Sequence, residues 1–579
     1  MTAPTPRCDA QASSPRPPQR RRAGWALALL LPAIALTACS GGGDGEGGKS
    51  VKPAEIVPPS VSGCRALHVT PSNGVDRAFV DPLITLTYTA PTAGACNDFT
   101  LIGKSLSPVP MRTVSSSERA LPQGGVAGHI TLMPQEALTT DETYELRAGG
   151  KRIAWFGVGT LRRGSLVDAT DLPLKLDRDH PQSTLSHAQI NDLIDVLARR
   201  ETRNAFEREA LKVLARLELP HLVSPGARYG AKALKLTYRS ADAKGNPVTL
   251  SGMLLMPTQD ADGSRPNYNG MPMVIGHRGA ADNDATDAPS AGNNVLTIPG
   301  LMAAGRGHVF FVPDLIGLGD SAKLPQSYLV ATDTAAQTQD MLIAVREYFR
   351  QHERAELGRE LRVTGGSLGG FGAMASLPNL AAEDVTIKQV SVGGGPFDSY
   401  RTADSALRAL AGLPRDDYSR YGNLDLIPQH LRRVMDAYQA YQGYSYKPEE
   451  VFSADGKQVL PAFWKSYLEG KQNALVAQLN VNSLPGSSQR YDLPEARVQV
   501  YHFVSDALIP SQNSVDLVTS LRQAPNRFAS VERERCHENS ELVKLILRIN
   551  KSPIRTHVVC FPYQMDDFVR DLPVIGTAD

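Results

Sequence analysis

The chain has 579 residues, which is more than a single hydrophobic core usually supports, so we expect more than one domain. Charged residues make up 21% of the sequence and the formal net charge is +1, which gives no indication of nucleic-acid binding. The sequence has no His-Glu-x-x-His motif and no Cys-x-x-Cys pair, so we expect no metal and no cofactor.

The N-terminus predicts an export signal. Five arginines precede an apolar run that ends at Ala38 and is too short for a membrane span. The run closes on Leu-Thr-Ala-Cys, which resembles the lipobox of bacterial lipoproteins. This resemblance implies that residues 1–38 are removed and that Cys39 carries a lipid. With Ser40 next, it also implies an outer-membrane location in the cell envelope of a Gram-negative source. The alternative is an ordinary signal peptide or a membrane anchor.

A glycine-rich tether over residues 39–60 follows the predicted lipid site and contains few core-forming residues. Downstream of it, the chain has an even number of cysteines, which in an oxidising compartment indicates disulfides. Three pairings are possible, and sequence proximity favours Cys64 with Cys96 and Cys536 with Cys560.

Residues 61–160 contain short β-rich runs separated by Pro, Gly, Asn and Asp, a pattern that predicts strands. The segment resembles the bacterial Ig-like domains that precede secreted enzymes, which implies a small all-β sandwich acting as a spacer or a carbohydrate-facing module. Residues 161–228 are predicted to be a helical connector. Their apolar residues recur at spacings of three and four between Ser186 and Leu219, which indicates two helices.

Residues 229–579 alternate predicted strands with helical stretches, a pattern typical of an α/β domain with a mainly parallel sheet covered on both faces. Residues 397–490 interrupt this alternation with a long, helix-rich and tyrosine-rich insertion. An insertion of this size indicates a cap or lid beside an active site. The alternative is a helical extension without a catalytic role.

Ser367 lies in Gly-Gly-Ser-Leu-Gly, residues 365–369, which fits the Gly-x-Ser-x-Gly pattern. The preceding residues 361–364 read as a strand and the following small residues can begin a helix, as the nucleophile elbow of a serine hydrolase requires. The helix N-terminus would favour a developing negative charge beside the serine.

Two further stretches resemble the secretory lipases and related esterases, which are α/β-hydrolases. They are Phe310–Leu329, FFVPDLIGLGDSAKLPQSYL, and the opening strands from Tyr238. The His-Arg-Gly loop at residues 277–279 resembles the loop that supplies an oxyanion-hole N–H in that fold. The resemblance therefore implies Leu368 together with Arg278 or Gly279 as oxyanion donors, while His277 is expected to be structural.

The catalytic acid of this fold follows a late strand. Asp506 comes just after such a strand and resembles the family's acid, whose role is to orient the base. A helix N-cap is the other interpretation of Asp506, and Asp398 is the second candidate for the acid.

Two histidines follow Asp506 in positions suitable for the base, His537 and His557. His557 is favoured because it precedes a helix-like stretch at the C-terminus. This choice takes residues 542–549, LVKLILRI, as the last strand, although the same residues fit an amphipathic helix. If they form a helix, the sequence favours His537 instead.

The sequence thus predicts an exported, membrane-tethered serine esterase or lipase acting on a small-molecule or lipid ester through Ser367, Asp506 and His557. Its fold class would be an α/β-hydrolase with a helical cap insertion, preceded by the Ig-like sandwich. A serine peptidase on the same fold and a non-catalytic surface binding protein are the alternatives.

Overall fold

The structure is a computed structural model that describes residues 60–61, 63–176, 181–195, 205–279, 288–292, 296–413, 418, 424–536, 538–549, 552 and 554–576. The predicted signal peptide, Cys39, most of the tether and His537 lie outside the described residues. Within the described part of the chain, no helix is both long and apolar enough to cross a membrane.

The N-terminal part is a β-sandwich of two five-stranded sheets, with strand orders β1-β2-β4-β8-β7 and β3-β10-β9-β5-β6. Alternate residues of one strand, such as Ile84 and Leu86, share a core with Leu146 and Phe156 of the opposite sheet. A disulfide joins Cys64 to Cys96, as sequence proximity favoured. The strands are β1 Ser60–Val61, β2 Cys64–Thr70, β3 Val75–Ala78, β4 Ile84–Ala90, β5 Phe99–Ile102, β6 Pro108–Val109, β7 Met111–Ala120, β8 Val126–Pro134, β9 Thr143–Ala148 and β10 Lys151–Val158.

The segment between the sandwich and the larger domain differs from the predicted helical connector. It holds helices α1 His187–Asn191 and α2 Ala205–Glu218, but also strands β11 Leu166–Asp171 and β12 Thr184–Leu185. Both strands pair with β13 Tyr229–Ala241, so the connector is part of the larger sheet. The short polar strand β11 lies at the sheet edge, where burial on both faces is not required, and its sequence therefore carries little strand signal.

The larger sheet has ten strands in the order β11-β13-β14-β16-β15-β17-β18-β19-β20, with β12 alongside β13. Its first strands are antiparallel, and those from β15 onward run parallel to one another. Every residue of β15 and β16 is buried, as expected for parallel strands covered on both faces. The remaining strands are β14 Pro247–Asp260, β15 Met273–His277, β16 Val309–Pro313, β17 Glu360–Gly366, β18 Thr386–Gly393, β19 Asp492–His502 and β20 Arg527–Arg535.

Helices flank this sheet, and a run of them lies between β18 and β19. We refer to residues 397–490, whose helices lie between Ser399 and Val481, as the helical insertion. The remaining helices are α3 Pro220–Val223, α4 Thr297–Gly305, α5 Ala331–Tyr348, α6 Leu368–Ala381, α7 Ser399–Leu410, α8 Ile427–Tyr441, α9 Pro448–Val451, α10 Pro461–Leu468, α11 Asn473–Val481, α12 Gln512–Leu521, α13 Glu541–Ile549, α14 Arg555–Val558 and α15 Phe561–Arg570.

The predicted last strand is wrong, because residues 542–549 lie in helix α13. Leu542, Val543 and Ile546 are buried while Glu541 and Lys544 are exposed, a period of three to four that places one face on the core. The last strand is instead β20, which pairs in parallel with β19 at the sheet edge. The charged run at its end, Glu532–Arg535, reflects that exposed edge.

The sandwich packs directly against the helical insertion. Ala127 on β8 forms a small buried cluster with Ala477 and Val481 of α11. On the neighbouring strand β7, Arg119 donates two hydrogen bonds to the carboxylate of Asp398, with distances of 2.9 and 2.7 Å. The two folded parts therefore share both an apolar contact and a buried ion pair.

Candidate active site

Ser367 occupies a strained turn between β17 and α6. Its φ is +57° and its ψ is −128°, a conformation that a residue with a side chain rarely adopts. A Cβ added at Gly365 would overlap the carbonyl oxygen of Gly369, and one at Gly369 would overlap that of His277. The two outer glycines of the motif are therefore required for strand and helix to approach, as in a nucleophile elbow.

Three buried side chains form a continuous hydrogen-bonded chain at this turn. His557 Nε2 lies 2.8 Å from Ser367 Oγ, and His557 Nδ1 lies 2.7 Å from Asp506 Oδ2. Ser367 is 8% exposed, and the other two are 2% exposed. Because the carboxylate can only accept, Nδ1 carries the proton and Nε2 is free to accept from the serine hydroxyl.

Asp506 lies on the loop after β19, where the backbone N–H groups of Leu508 and Ile509 donate to its Oδ1. Burial by itself would raise the pKa of Asp506. Hydrogen bonds and electrostatic attraction from His557 and His502 outweigh burial and hold that pKa well below its ordinary value. Asp506 is therefore ionised at neutral pH and can orient a histidine.

His557 reaches Ser367 from the short helix α14, even though residues 542–549 form a helix rather than a strand. A disulfide joins Cys536, the residue directly after β20, to Cys560 and so closes the intervening segment. The ring of Phe561 packs edge-on against the His557 imidazole, with 5.7 Å between centroids. The sequence analysis favoured His537 as the base if residues 542–549 form a helix. They do form a helix, yet it is His557 that lies within hydrogen-bond distance of Ser367.

Asp398, the second candidate for the acid, is engaged elsewhere. Its carboxylate pairs with Arg119 and also accepts from the N–H of Arg401 as the N-cap of α7. Ser483 donates a further hydrogen bond of 3.1 Å to it. Asp398 thus anchors the start of the helical insertion, and it is Asp506 that accepts the hydrogen bond from His557 Nδ1.

The predicted oxyanion loop lies against the serine turn. A Cβ at Gly279 would lie 3.7 Å from Ser367 Cβ, and one at Gly369 would contact the carbonyl of Arg278. Leu368 is the first residue of α6, where a backbone N–H has no partner within the helix. The structure therefore brings all three predicted donors, Leu368, Arg278 and Gly279, to the turn at Ser367.

His277 is buried under the same loop and has the structural environment expected for it. Its Nε2 lies 3.2 Å from Ser376 Oγ on α6. Burial lowers the pKa of His277 to about 3, so the ring is neutral. Its hydrogen bond ties the oxyanion loop to the helix behind Ser367.

The stretch Phe310–Leu329, which carried the lipase resemblance, begins in strand β16 and continues as a loop beyond it. Asp314 accepts a 2.6 Å hydrogen bond from Ser251 and is buried, which raises its pKa. Near the end of the stretch, Tyr328 OH lies 3.1 Å from His430 Nδ1 on α8 of the helical insertion. The stretch therefore connects the sheet to the insertion.

Two histidines near the site were missed by sequence reasoning. His430 lies partly buried on α8, and its pKa falls to about 4, mainly through loss of solvation and further through the nearby Arg433 and His557. His502 ends β19 and contacts Asp506. The only available signal for His502 was its position at a strand end four residues before the predicted acid. In the part of the chain that the structure describes, no group of acidic, histidine or cysteine residues could hold a metal ion.

No family model and no curated protein matches this sequence. Solved structures do match. A protein of Legionella pneumophila assigned as a hydrolase is 18% identical with a TM-score of 0.49, and the match covers 72% of this chain and 100% of that one. The rice cell wall degrading esterase LipA of Xanthomonas oryzae is 18% identical with a TM-score of 0.48, over 67% and 95% of the chains. Candida antarctica lipase A is 11% identical with a TM-score of 0.39, over 69% and 85%.

The geometry of the larger domain is that of an α/β-hydrolase-like fold. A mainly parallel sheet carries helices on its faces, and a serine sits on a strained strand-to-helix turn at the carboxyl end of β17. The immunoglobulin-like assignment of the sandwich stays a prediction.

Proposed function

We propose that the protein is an exported, membrane-tethered serine hydrolase of carboxylic esters. The observation that carries this proposal is the hydrogen-bonded chain Ser367–His557–Asp506 on a nucleophile elbow. The order Ser, Asp, His along the sequence is that of α/β-hydrolases.

In the proposed reaction, Ser367 Oγ attacks the ester carbonyl carbon and its proton passes to His557 Nε2. The carbonyl oxygen becomes an oxyanion, which the backbone N–H of Leu368 and one from the Arg278–Gly279 loop stabilise. The tetrahedral intermediate collapses, the alcohol leaves with the proton from His557, and an acyl-serine remains. Water then attacks the acyl-serine, His557 takes its proton and returns it to Ser367, and the carboxylic acid is released.

Asp506 serves this cycle in two ways. It keeps the proton of neutral His557 on Nδ1, so that Nε2 faces the serine, and its negative charge stabilises the imidazolium formed during attack. A carboxylate fixed by two backbone N–H groups needs little reorganisation as that charge appears.

The helical insertion is proposed to cap the site and to shape the acyl pocket. His430 of α8 lies near enough to feel the electrostatic influence of His557, and it lies 3.1 Å from the hydroxyl of Tyr328. Buried tyrosines on the insertion, such as Tyr438 and Tyr441, would help to exclude water.

Purified protein is expected to hydrolyse p-nitrophenyl esters and to leave amino-acyl anilides of similar size intact. A screen across acyl chain lengths would then define the pocket. Preference for the anilides would favour the serine-peptidase alternative. Failure of a fluorophosphonate probe to label Ser367, with Ser367→Ala as the unlabelled control, would favour a non-catalytic binding protein.

Lipidation at Cys39 is proposed from the sequence resemblance. Replacing Cys39 with alanine should release the protein from the membrane fraction, because a covalent acyl group supplies most of the membrane affinity in such a tethered protein. Fractionation with an antibody against the hydrolase domain measures this, and an unchanged membrane pool would contradict it.

A further inference from the structure

Asp506 binds two histidines through the same oxygen atom. His557 Nδ1 lies 2.7 Å from Asp506 Oδ2, and His502 Nε2 lies 3.1 Å from that same oxygen. The side chains of His502 and Asp506 are both 0% exposed. Water therefore does not compete for this oxygen.

The contacts of His502 settle where its ring proton lies. Nε2 faces two acceptors, Asp506 Oδ2 and the carbonyl oxygen of Ile509, each at 3.1 Å, so Nε2 must carry a proton. The other nitrogen, Nδ1, lies 2.7 Å from the hydroxyl of Ser514 on α12, which can donate to it. Both ring nitrogens are thus engaged, and the ring orientation is fixed.

We propose that His502 is a positioning residue that acts on the base through Asp506. This inference rests on the proposed function. The N–H of His502 holds the Asp506 carboxylate in place and takes up part of its negative charge, so it determines how strongly Asp506 stabilises a protonated His557.

The direction of the effect follows from electrostatics. Removing the His502 donor concentrates more negative charge on the oxygen that faces His557. A more negative neighbour favours the protonated form of the base, so the acid limb of the pH profile should move to higher pH. Among the described residues, titratable groups near this site include His430 on the helical insertion and Glu538, whose carboxylate accepts from the N–H of Val504. Neither is changed in the test below.

Two substitutions separate the donor from the bulk of the ring. His502→Gln places an amide N–H about where Nε2 lies, whereas His502→Asn reaches only the Nδ1 position and leaves Asp506 without this donor. The readout is the rate at which a fluorophosphonate labels Ser367 across pH, together with kcat/KM for a p-nitrophenyl ester.

The Asn variant should lose about tenfold in both rates, and its acid-limb midpoint should rise by about 0.5–1 pH unit. The Gln variant should stay within about threefold of the unmodified protein with little shift, since one donor is retained. If both variants lose the same amount of activity and the acid-limb midpoint does not move, His502 contributes only packing, and the proposal is overturned. An unchanged midpoint in a folded Asn variant would do the same.

A matched control is His308→Gln, because His308 is a buried histidine whose Nε2 bonds the carbonyl oxygen of Pro573, away from Ser367. It should leave the midpoint unchanged.

If the Asn variant fails to fold, Ser514→Ala is the second test, because it removes the hydroxyl that contacts Nδ1 of His502. It should shift the midpoint in the same direction, and no shift there would overturn the proposal. Labelling of the unmodified protein without ester hydrolysis would count against the ester function alone, and the variants would still decide the role of His502.

Discussion

Replacing His557 with alanine should lower ester turnover about as far as replacing Ser367, by about four orders of magnitude or more, because members of a catalytic triad act as a unit. Both variants should fold, since each change removes only a few atoms from a polar site. The measurement is kcat/KM with a p-nitrophenyl ester, alongside circular dichroism and thermal unfolding. Asp506→Asn should cost less than either, because it removes the partner of the base and not the base itself.

His537→Ala is the control for this experiment, because His537 was the other candidate for the base and follows Cys536 directly. It should keep most of the activity. An inactive but folded His537→Ala variant, with His557→Ala still active, would contradict the hydrogen-bonded arrangement of Ser367 and His557 as the working site.

Replacing Arg119 with methionine should lower the free energy of unfolding by about 3 kcal/mol, because the buried Asp398 carboxylate loses its two-bond partner. Among the described residues, only a longer ionic contact with Arg401, at 4.0 Å, is then left to it. The Arg119 side chain is 12% exposed and that of Asp398 is 2% exposed, so water cannot easily replace the lost contact. The change should also loosen α7, which Asp398 caps, and so reduce ester turnover. Denaturant unfolding and turnover on the same preparation measure both effects.

Arg147→Met is the matched control within the same sandwich. Arg147 pairs with Glu145, but the side chains are 35% and 31% exposed, so the loss should have little effect on stability. The double variant Arg119→Met with Asp398→Asn should recover part of the lost stability, because no buried charge is then left unpaired. A single Arg119→Met variant as stable as the Arg147 control would show that the buried pair contributes nothing.

The sequence predicts a site residue well where the pattern that marks it lies in neighbouring positions of the chain. Ser367 could be found because an elbow requires glycines at fixed positions around the serine, and Asp506 because it directly follows an apolar strand. Residues 542–549 fit a strand and a helix equally well, and only packing of Leu542 and Ile546 on the core decides between them. The edge strand β20 escaped detection because its exposed position allows a run of charged residues at its end, Glu532–Arg535.

Contacts between residues far apart in the chain could not be predicted from the sequence. Arg119 and Asp398 are 279 positions apart, and neither stands in a recognisable motif for an ion pair. The same holds for the pairing of Tyr328 with His430, which are 102 positions apart. The sequence therefore suggested a spacer ahead of an independent enzyme, whereas the structure shows two folded parts in contact.

The contact between β8 and α11 has a consequence for the order in which the molecule is built. Domains fold from the N-terminus as the chain is made or exported, so the sandwich can be complete before the helical insertion emerges. Long-range contacts form slowly in an unfolded chain because the intervening loop must first close. If the sandwich has already folded, Ala477 and Val481 can pack against its surface as soon as the helical insertion forms. We therefore expect the sandwich to act as an intramolecular template, so that an alteration in it could disturb catalysis without touching Ser367.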